Sequence, residues 1–208
     1  MNSPELRVLR GRLRALRDPV VRTGRLWLTL PDRRRVPELV QLFGDPAIAR
    51  WTLHIPFPYR ATDATAWLRR AADGRRLGTH LNLQIVRRQD RRLIGGIGLH
   101  HLDAAHARAE LGYWVGRPFR RQGYAAEAAH ALCEFAWRRL RLHRIEARVF
   151  PGNVASAHLL RSVGFRREGR LRQSIAKDGR FVDELVFAKL AGPRAGRRRR
   201  PGPARTVR

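Results

Sequence analysis

Residues 117–129 read RPFRRQGYAAEAA, and this stretch decides how the whole chain is interpreted. A basic turn that contains Gly123 runs directly into an alanine-rich segment typical of a helix. The first amide groups of a helix lack intrahelical partners, and the helix dipole adds partial positive charge there. Gly123 has no Cβ, so an anion can approach its backbone, and Arg120 and Arg121 can add charge-assisted hydrogen bonds. Taken alone, the residues leave two alternatives open: a plain helix start and a cradle for phosphate.

The length and composition place the chain among single-domain proteins. Its 208 residues are enough for one domain with a core and too few for two comfortable ones. No apolar run approaches the ~20 residues that a membrane span needs, and the first residues lack the uninterrupted apolar segment of a signal peptide. Cys133 is the one cysteine in the sequence, which excludes an intramolecular disulfide and suits a reducing cytoplasm. We therefore expect a cytoplasmic protein.

Positive charge is the most unusual property of the composition. The net charge is +27, and apart from Lys177 and Lys189 every basic residue except the histidines is an arginine. Residues 191–208 hold seven arginines and no acid, punctuated by proline and glycine, so we predict a disordered tail there. Residues 1–23 are predicted to form a basic N-terminal extension. Basic ends favour an anionic partner such as RNA or the ribosome, and a general arginine bias with a solvated surface is the alternative.

Between these ends the sequence alternates between strand and helix patterns. Apolar residues at helical spacing predict helices, and strict alternation predicts strands. The predicted helices are 32–45, 61–73, 124–140 and 153–165. The predicted strands are 25–30, 80–86, 92–102, 107–115, 143–150, 166–175 and 180–190, the last two joined by a hairpin turn at KDG. This order predicts a mixed α/β sheet with a ligand crevice near the strand ends.

The surroundings of the basic turn match a known family. The strand ELGYWV at 110–115 precedes the turn, and Asn153 opens the segment NVASAHLLRSVGF some thirty residues after it. Residues 120–125 match [QR]xxGx[GA], the acyl-CoA motif of the GNAT superfamily of N-acetyltransferases. The patterns GYW, RxxGYAxEA, RIxA, NxxS and GFxxEG also occur in the order typical of the RimJ/RimL branch. The sequence resembles this branch over a domain at 24–190, most strongly at 110–169.

The resemblance implies a fold and an acetyl donor. The GNAT fold has a mixed, mostly antiparallel, twisted sheet that is splayed at its centre and flanked by helices. Here the splay is expected between the strands at 110–115 and 143–150, with the pantetheine arm of acetyl-CoA in the gap and its pyrophosphate on the turn. The residues implied to bind acetyl-CoA are Tyr113, Trp114 and Val115 through their backbone, Arg120, Arg121, Gln122, Gly123, Tyr124 and Ala125 in the turn, and Asn153.

The resemblance also implies an acceptor. The RimJ/RimL branch acetylates protein N-terminal amines, so the expected acceptor is the N-terminus of a ribosomal or other protein. Two alternatives stay open. One is a small-molecule amine, and the other is a catalytically idle scaffold that binds nucleic acid or the ribosome. Both a monomer and a homodimer are compatible with the sequence.

The catalytic residues are harder to assign, because the chain departs from the family at two positions. Many GNAT proteins carry a tyrosine acid where this chain has Leu160, so Ser156 is the candidate acid for the leaving thiolate. RimL-like proteins carry a glutamate base near the positions occupied here by Ser174 and Ile175, so Glu110 is the substitute candidate. The alternatives are that Ser156 only caps the first helical turn, that Glu110 only pairs with an arginine, and that water removes the proton.

The remaining reactive side chains have structural interpretations. His100 and His101 are neighbours on a strand and point to opposite faces, so no metal site is predicted. Cys133 lies among apolar residues of a predicted helix and is expected to be buried. Glu127, in the helix after the turn, is expected to be structural.

Overall fold

The computed structural model describes residues 3–192 of the chain. The tail predicted at 191–208 therefore lies almost wholly outside the described residues. The helices are α1 (Pro4–Arg14), α2 (Val36–Phe43), α3 (Pro46–Trp51), α4 (Ala61–Leu77), α5 (Tyr124–Phe135) and α6 (Val154–Ser162). The strands are β1 (Val21–Arg22), β2 (Leu26–Thr29), β3 (Leu81–Arg87), β4 (Leu93–Asp103), β5 (Arg108–Val115), β6 (Arg144–Val149), β7 (Arg166–Lys177) and β8 (Arg180–Leu190).

All eight of these strands form one sheet in the order β1-β2-β3-β4-β5-β6-β8-β7. Neighbouring strands run antiparallel except for β5 and β6, which are parallel. The predicted mixed, mostly antiparallel sheet flanked by helices is thus confirmed. The predicted hairpin is also present, since β7 and β8 pair as far as Lys177 and Arg180 around a turn in which Asp178 and Gly179 both have positive φ.

The sheet opens at its centre, between β5 and β6. These strands pair over just three positions, which run from Arg108 opposite Arg144 to Glu110 opposite Glu146. Beyond Glu110, β5 stays paired with β4 as far as Val115, while β6 stays paired with β8 as far as Val149. Each strand therefore follows its outer neighbour, and a wedge opens between them. This is the splay that the resemblance implied.

The alternation of side chains along β5 gives the wedge two different faces. Leu111 and Val115 join the core formed with α5 and α6. Trp114 points the other way and packs with α2 and α4, with its ring centroid 4.2 Å from that of Phe43. Space for the indole comes from β4, because a Cβ on Gly96 would lie 2.6 Å from Trp114 Nε1. The two faces of the wedge therefore present different side chains.

Helix α1, within the segment predicted as an N-terminal extension at residues 1–23, packs against the rest of the domain. Helix α1 begins at a Ser3 cap and buries Leu9 and Leu13, which are 3% and 0% exposed. Arg10 donates to the carbonyl of Leu77 at 2.8 Å, and Arg12 donates to that of Leu140 at 3.0 Å. These arginines therefore cap the ends of neighbouring helical segments, which a charge count alone does not reveal.

Two local features differ from the helices predicted between 32 and 140. Helix α3 was not predicted, and it begins where Asp45 accepts a hydrogen bond from the amide of Ala47 at 3.0 Å. The predicted helix at 124–140 changes at Ala136–Leu140 into a π-helical turn. Helix α4 begins at Ala61 as predicted, and in its first turn Asp63 accepts from the amide of Arg60 at 2.8 Å. Within residues 3–192, no helix has the length and apolarity needed to span a bilayer.

Packing of α1 is testable because one face is buried and the other exposed. We expect Leu13→Ala to lower the free energy of unfolding by about 2–5 kcal/mol, since it leaves a cavity in the core. The matched control is Val8→Ala on the same helix, whose side chain is 52% exposed and whose loss is expected to cost under ~0.5 kcal/mol. Urea titration of both variants measures the difference. Equal stabilities would show that α1 does not pack on the domain.

Candidate active site

The wedge between β5 and β6 opens into a cavity of about 1600 Å³. It is bounded by β5, β6, the first turn of α5, the first turns of α6 and the segment from α3 to α4. The residues implied to bind acetyl-CoA all line it except Gln122. The structure therefore brings together residues that are separated by some forty positions in the sequence.

The basic turn is shaped to expose backbone amides. Gly123 has φ +78° and directly precedes α5, and Arg121 has φ +60°. Among the described residues, no side chain caps the start of α5. Gly123, Tyr124 and Ala125 line the cavity, so the uncapped amides of the first turn are available there to an anion.

A second arginine supports this turn from the other end of the chain. Arg25 Nη1 donates to the carbonyl of Gln122 at 3.0 Å, and Arg25 Nε donates to Glu127 Oε2 at 2.6 Å. The guanidinium also lies 4.7 Å from the centre of the Tyr124 ring. Glu127 additionally accepts from Thr23 Oγ1 at 2.5 Å, so its structural role is confirmed. Sequence reasoning missed Arg25, and the one available signal was its place in RTGRLWL at the start of the matched region.

The side chain of Arg120 makes two contacts within the protein. Its Nη2 atom pairs with Asp45 Oδ2 at 2.7 Å, and its Nε atom donates to the carbonyl of Val115 at 2.9 Å. The guanidinium thus ties the turn to the start of α3 and to the end of β5. Gln122 likewise donates to the carbonyl of Pro118 at 3.0 Å. Arg121 also lines the cavity, and it is exposed.

The two residues implied to contact the pantetheine and the sulfur lie at the start of α6. Asn153 caps this helix, since its Oδ1 accepts from the amide of Ser156 at 3.1 Å. Ser156 Oγ lies 2.8 Å from the hydroxyl of Tyr113, which reaches it from β5. Leu160, which stands where many GNAT proteins carry a tyrosine acid, is fully buried in the core. The hydroxyl groups near the wedge on this side therefore come from Ser156 and Tyr113.

A carboxylate cluster lies on the opposite face of the sheet. Glu110 Oε2 is 3.4 Å from Arg148 Nε and 3.4 Å from His101 Nδ1. Arg148 Nη1 is also 3.3 Å from Oε2 of Glu184, whose side chain is 8% exposed. Ser174 Oγ donates to the same Glu184 oxygen at 2.9 Å. Glu110 therefore both pairs with an arginine and faces the cavity, so the two interpretations of this residue are compatible.

Sequence reasoning missed Glu184, although it faces the cavity with a nearly buried carboxylate. It lies on β8, and β7 separates it in sequence from the GF pattern that was used to search for a base. A signal was present in the DELVFAKL strand, where Glu184 stands next to apolar residues. An acid in such a strand is typical of a paired or functional group rather than of a solvated surface.

Four histidines line the cavity, namely His54, His80, His100 and His101. Burial, reinforced by His80, His101 and His54, lowers the pKa of His100 to about 4. The rings of His100 and His80 stack at 6.2 Å. His100 is therefore neutral at physiological pH. Within residues 3–192, no group of three or more histidine, cysteine or acidic side chains is arranged to hold a metal ion.

Cys133 occupies an apolar position in α5. It is fully buried, and burial raises the pKa of its thiol to about 12. A thiol with this pKa carries negligible thiolate at neutral pH and is a poor nucleophile. The prediction that Cys133 fills space in the core is confirmed.

Comparison with known proteins assigns the family. The family model described as "Acetyltransferase (GNAT) domain" matches residues 25–166, which is more than half of the chain. The chain therefore belongs to the GNAT acetyltransferases, and it is an N-acetyltransferase whose acetyl donor is acetyl-CoA. Its homologues and structural neighbours include RimJ/RimL-like ribosomal-protein acetyltransferases.

Three similar proteins illustrate the range of this family. The chain is 32% identical over 174 residues to the uncharacterized N-acetyltransferase p20 of Bacillus licheniformis, covering 84% of this chain and 97% of that protein. It is 33% identical over 78 residues to the [ribosomal protein uS5]-alanine N-acetyltransferase of Escherichia coli, covering 38% of this chain and 40% of that protein. The structure of Mycobacterium smegmatis RimJ in complex with CoA-disulfide superposes with a TM-score of 0.73 at 25% identity, covering 80% of this chain and 82% of that one.

The geometry of the turn makes a prediction about acetyl-CoA binding. Acetyl-CoA is expected to raise the melting temperature of the wild-type protein, because a ligand that binds the folded state stabilises it. Gly123→Val is expected to abolish that increase, since a branched side chain stands where phosphate must approach the backbone. Thermal shift with and without acetyl-CoA, each variant compared with its own ligand-free form, measures the effect.

Gly179→Val is the matched control for Gly123→Val. Gly179 has a similar φ of +74°, and nothing lies within 4 Å of the Cβ that would be added. It carries the same backbone strain in the β7–β8 turn, and it does not line the cavity. The control is expected to keep the full acetyl-CoA shift. An undiminished shift in Gly123→Val contradicts the placement of the pyrophosphate on this turn.

Proposed function

We propose that this protein transfers the acetyl group of acetyl-CoA to the α-amino group of a protein N-terminus. The observation that carries the proposal is the two-faced wedge, which has an anion-binding turn and hydroxyls on one face and a carboxylate cluster on the other. Similarity to the [ribosomal protein uS5]-alanine N-acetyltransferase of Escherichia coli supports an acceptor of this kind.

On the donor side, unpaired backbone provides a template for pantetheine. Past Glu110 the edge of β5 that faces β6 has no strand partner, so those backbone groups of Tyr113, Trp114 and Val115 that point toward β6 can meet the amide groups of the pantetheine arm. The pyrophosphate binds the uncapped amides that begin at Gly123, and Asn153 contacts the arm. Holding the thioester beside the acceptor makes a bimolecular step effectively unimolecular, and this proximity supplies much of the rate.

On the acceptor side, the carboxylate cluster suits an ammonium group. Glu110 and Glu184 flank the single guanidinium of Arg148, so the three groups carry one negative charge in excess. An incoming ammonium is attracted to this charge, and Arg148 can donate to the carbonyl oxygen that neighbours every α-amine of a peptide. A simple aliphatic amine lacks that carbonyl. The cluster therefore favours peptide N-termini over small-molecule amines.

The reaction needs a free amine, and Glu110 is the proposed proton acceptor. An α-amino group has a pKa of about 7.7–8.0, against about 10.4 for a lysine side chain, so a weak carboxylate base is sufficient for an N-terminus. The amine nitrogen attacks the thioester carbonyl, its proton passes to Glu110, and the tetrahedral intermediate expels the CoA thiolate. Ser156 supplies a hydrogen bond to the departing sulfur.

Peptide acceptors test both the acceptor class and the role of Glu110. We expect acetylation of peptides that begin with alanine and none of N-terminally blocked peptides that offer only a lysine amine, as detected by mass spectrometry. Glu110→Gln is expected to lower kcat by about 10²-fold, with a larger loss at pH 6 than at pH 9 because a free amine is scarce at low pH. The pH–rate profile with the best alanine peptide measures this difference.

Glu134→Gln is the matched control for Glu110→Gln. Glu134 pairs with Arg138 at 3.0 Å along α5 and does not line the cavity, so its kcat is expected to equal that of the wild type. Acetylation of blocked lysine peptides in preference to free N-termini contradicts the proposed acceptor. A loss in Glu110→Gln that does not change with pH contradicts the proposed base.

A further inference from the structure

Only the backbone of Tyr113 has been given a role so far, and its side chain makes a separate contact with Ser156. Its hydroxyl lies 2.8 Å from Ser156 Oγ and 3.4 Å from the backbone carbonyl of Ser156. Tyr113 belongs to β5 and Ser156 to the first turn of α6, and both line the cavity. The tyrosine therefore connects the strand edge with the serine that is nearest to the expected position of the sulfur.

The direction of this hydrogen bond follows from the available donors and acceptors. The Tyr113 hydroxyl can give its one proton to Ser156 Oγ at the closer distance or to the Ser156 carbonyl at the longer one. The carbonyl lies within α6 and already has the helical amide of Leu160 as its donor. The phenol is also the stronger acid of the two hydroxyls. Either hydroxyl can be the donor at 2.8 Å, and we take Tyr113, the stronger acid and therefore the better donor, as the donor to Ser156 Oγ.

If Tyr113 donates, the proton of the Ser156 hydroxyl is not used in the bond between them. A serine in a helix commonly turns its hydroxyl proton toward a carbonyl of the preceding turn. Here Ser156 Oγ accepts from Tyr113, and its amide is held by Asn153 Oδ1 at 3.1 Å. With its position and one lone pair fixed, the hydroxyl of Ser156 has its own proton free to point into the cavity.

We propose that Tyr113 is a positioning residue that fixes the hydroxyl of Ser156 so that its proton points at the sulfur of CoA. This inference rests on the proposed function, because it assigns the thioester to the wedge beside Ser156. The Tyr113–Ser156 pair then provides the hydrogen bond to the leaving sulfur that Leu160, which has no hydroxyl, cannot provide. The tyrosine reaches it from the strand rather than from the helix.

The chemical step balances without a proton leaving either hydroxyl. When the tetrahedral intermediate collapses, the C–S bond breaks, its electron pair goes to sulfur, and the C–N bond remains in the acetylated amine. A thiol has a pKa near 8.5, so it is a far stronger acid than a serine hydroxyl and keeps its negative charge in this hydrogen bond. The proton lost by the amine leaves through Glu110 to water, and water later protonates the thiolate.

Burial keeps the donor of the pair protonated. It raises the pKa of Tyr113 to about 12, while a hydrogen bond that Ser156 would donate to the ionised phenolate acts in the opposite direction. The phenol therefore stays protonated at neutral pH and keeps a proton to donate. Any effect of removing its hydroxyl should be independent of pH between about 6 and 9, unlike the effect expected for Glu110→Gln.

The thiol of bound CoA is a direct probe of this pair and needs no acceptor. We expect the pKa of the CoA thiol to be lower in the wild-type complex than in free solution, because the Ser156 hydrogen bond stabilises the thiolate. Ultraviolet titration of the thiolate measures this value, with desulfo-CoA as the blank. Cys133 does not interfere, since its pKa is about 12.

Three variants separate positioning from simple bracing: Tyr113→Phe, Ser156→Ala and the double variant. Ser156→Ala is expected to raise the pKa of bound CoA and to lower kcat about tenfold, because a hydrogen bond to a charged group is lost. Tyr113→Phe is expected to raise the pKa of the bound CoA thiol and to lower kcat by smaller amounts. Its Kd for CoA is expected to change less than about twofold. The double variant is expected to match Ser156→Ala, since the tyrosine acts through the serine.

The outcomes that overturn the proposal differ from those that overturn the proposed function. An equal CoA pKa in the wild type and in Tyr113→Phe shows that the tyrosine only braces α6 against β5. Losses that multiply in the double variant show that it acts independently of Ser156. Absence of acetyl transfer to any free N-terminus contradicts the proposed function and leaves the CoA titration as a decisive test of the pair.

Discussion

The structure depends on one limit to strand pairing, the three-residue ladder between β5 and β6. A parallel pair that continued beyond Glu110 would satisfy both strand edges and close the sheet. Since each strand instead follows its outer neighbour, two rows of backbone groups are left facing a wedge. Buried backbone groups without partners are costly, so such a wedge is stable when a ligand or solvent occupies it. The fold therefore contains its binding site as a structural requirement rather than as an addition to a finished sheet.

Arginine has two different uses around this wedge. Some arginines connect segments that are distant in sequence. Arg120 pairs with Asp45, and Arg25, which directly precedes β2, pairs with Glu127 in the first turn of α5. Arg148, by contrast, lies between Glu110 and Glu184 and faces the cavity. Part of the high positive charge therefore comes from arginines that hold distant segments together. Net charge by itself is weak support for an anionic macromolecular partner.

The sequence predicted the sheet class, the turn at Gly123 and the hairpin at Gly179, because those features depend on local patterns. It did not predict α1 as part of the domain, since an arginine-rich segment with two buried leucines resembles a solvated extension. It also missed Arg25 and Glu184, whose roles come from contacts with residues such as Glu127 and Arg148 that are remote in sequence. The hydrogen bond from Tyr113 to Ser156 was likewise invisible, because alternation places a strand residue on a face and does not specify its partner.

The measurement that tests the central claim most directly is a crystal structure of the protein with bound CoA. The account predicts pantetheine in the wedge along the unpaired edge of β5, pyrophosphate on the amides that begin at Gly123, and the sulfur beside Ser156. The carboxylates of Glu110 and Glu184 should then face the sulfur from the other side of the sheet. CoA bound elsewhere, or a wedge closed by continued pairing of β5 with β6, would contradict the account.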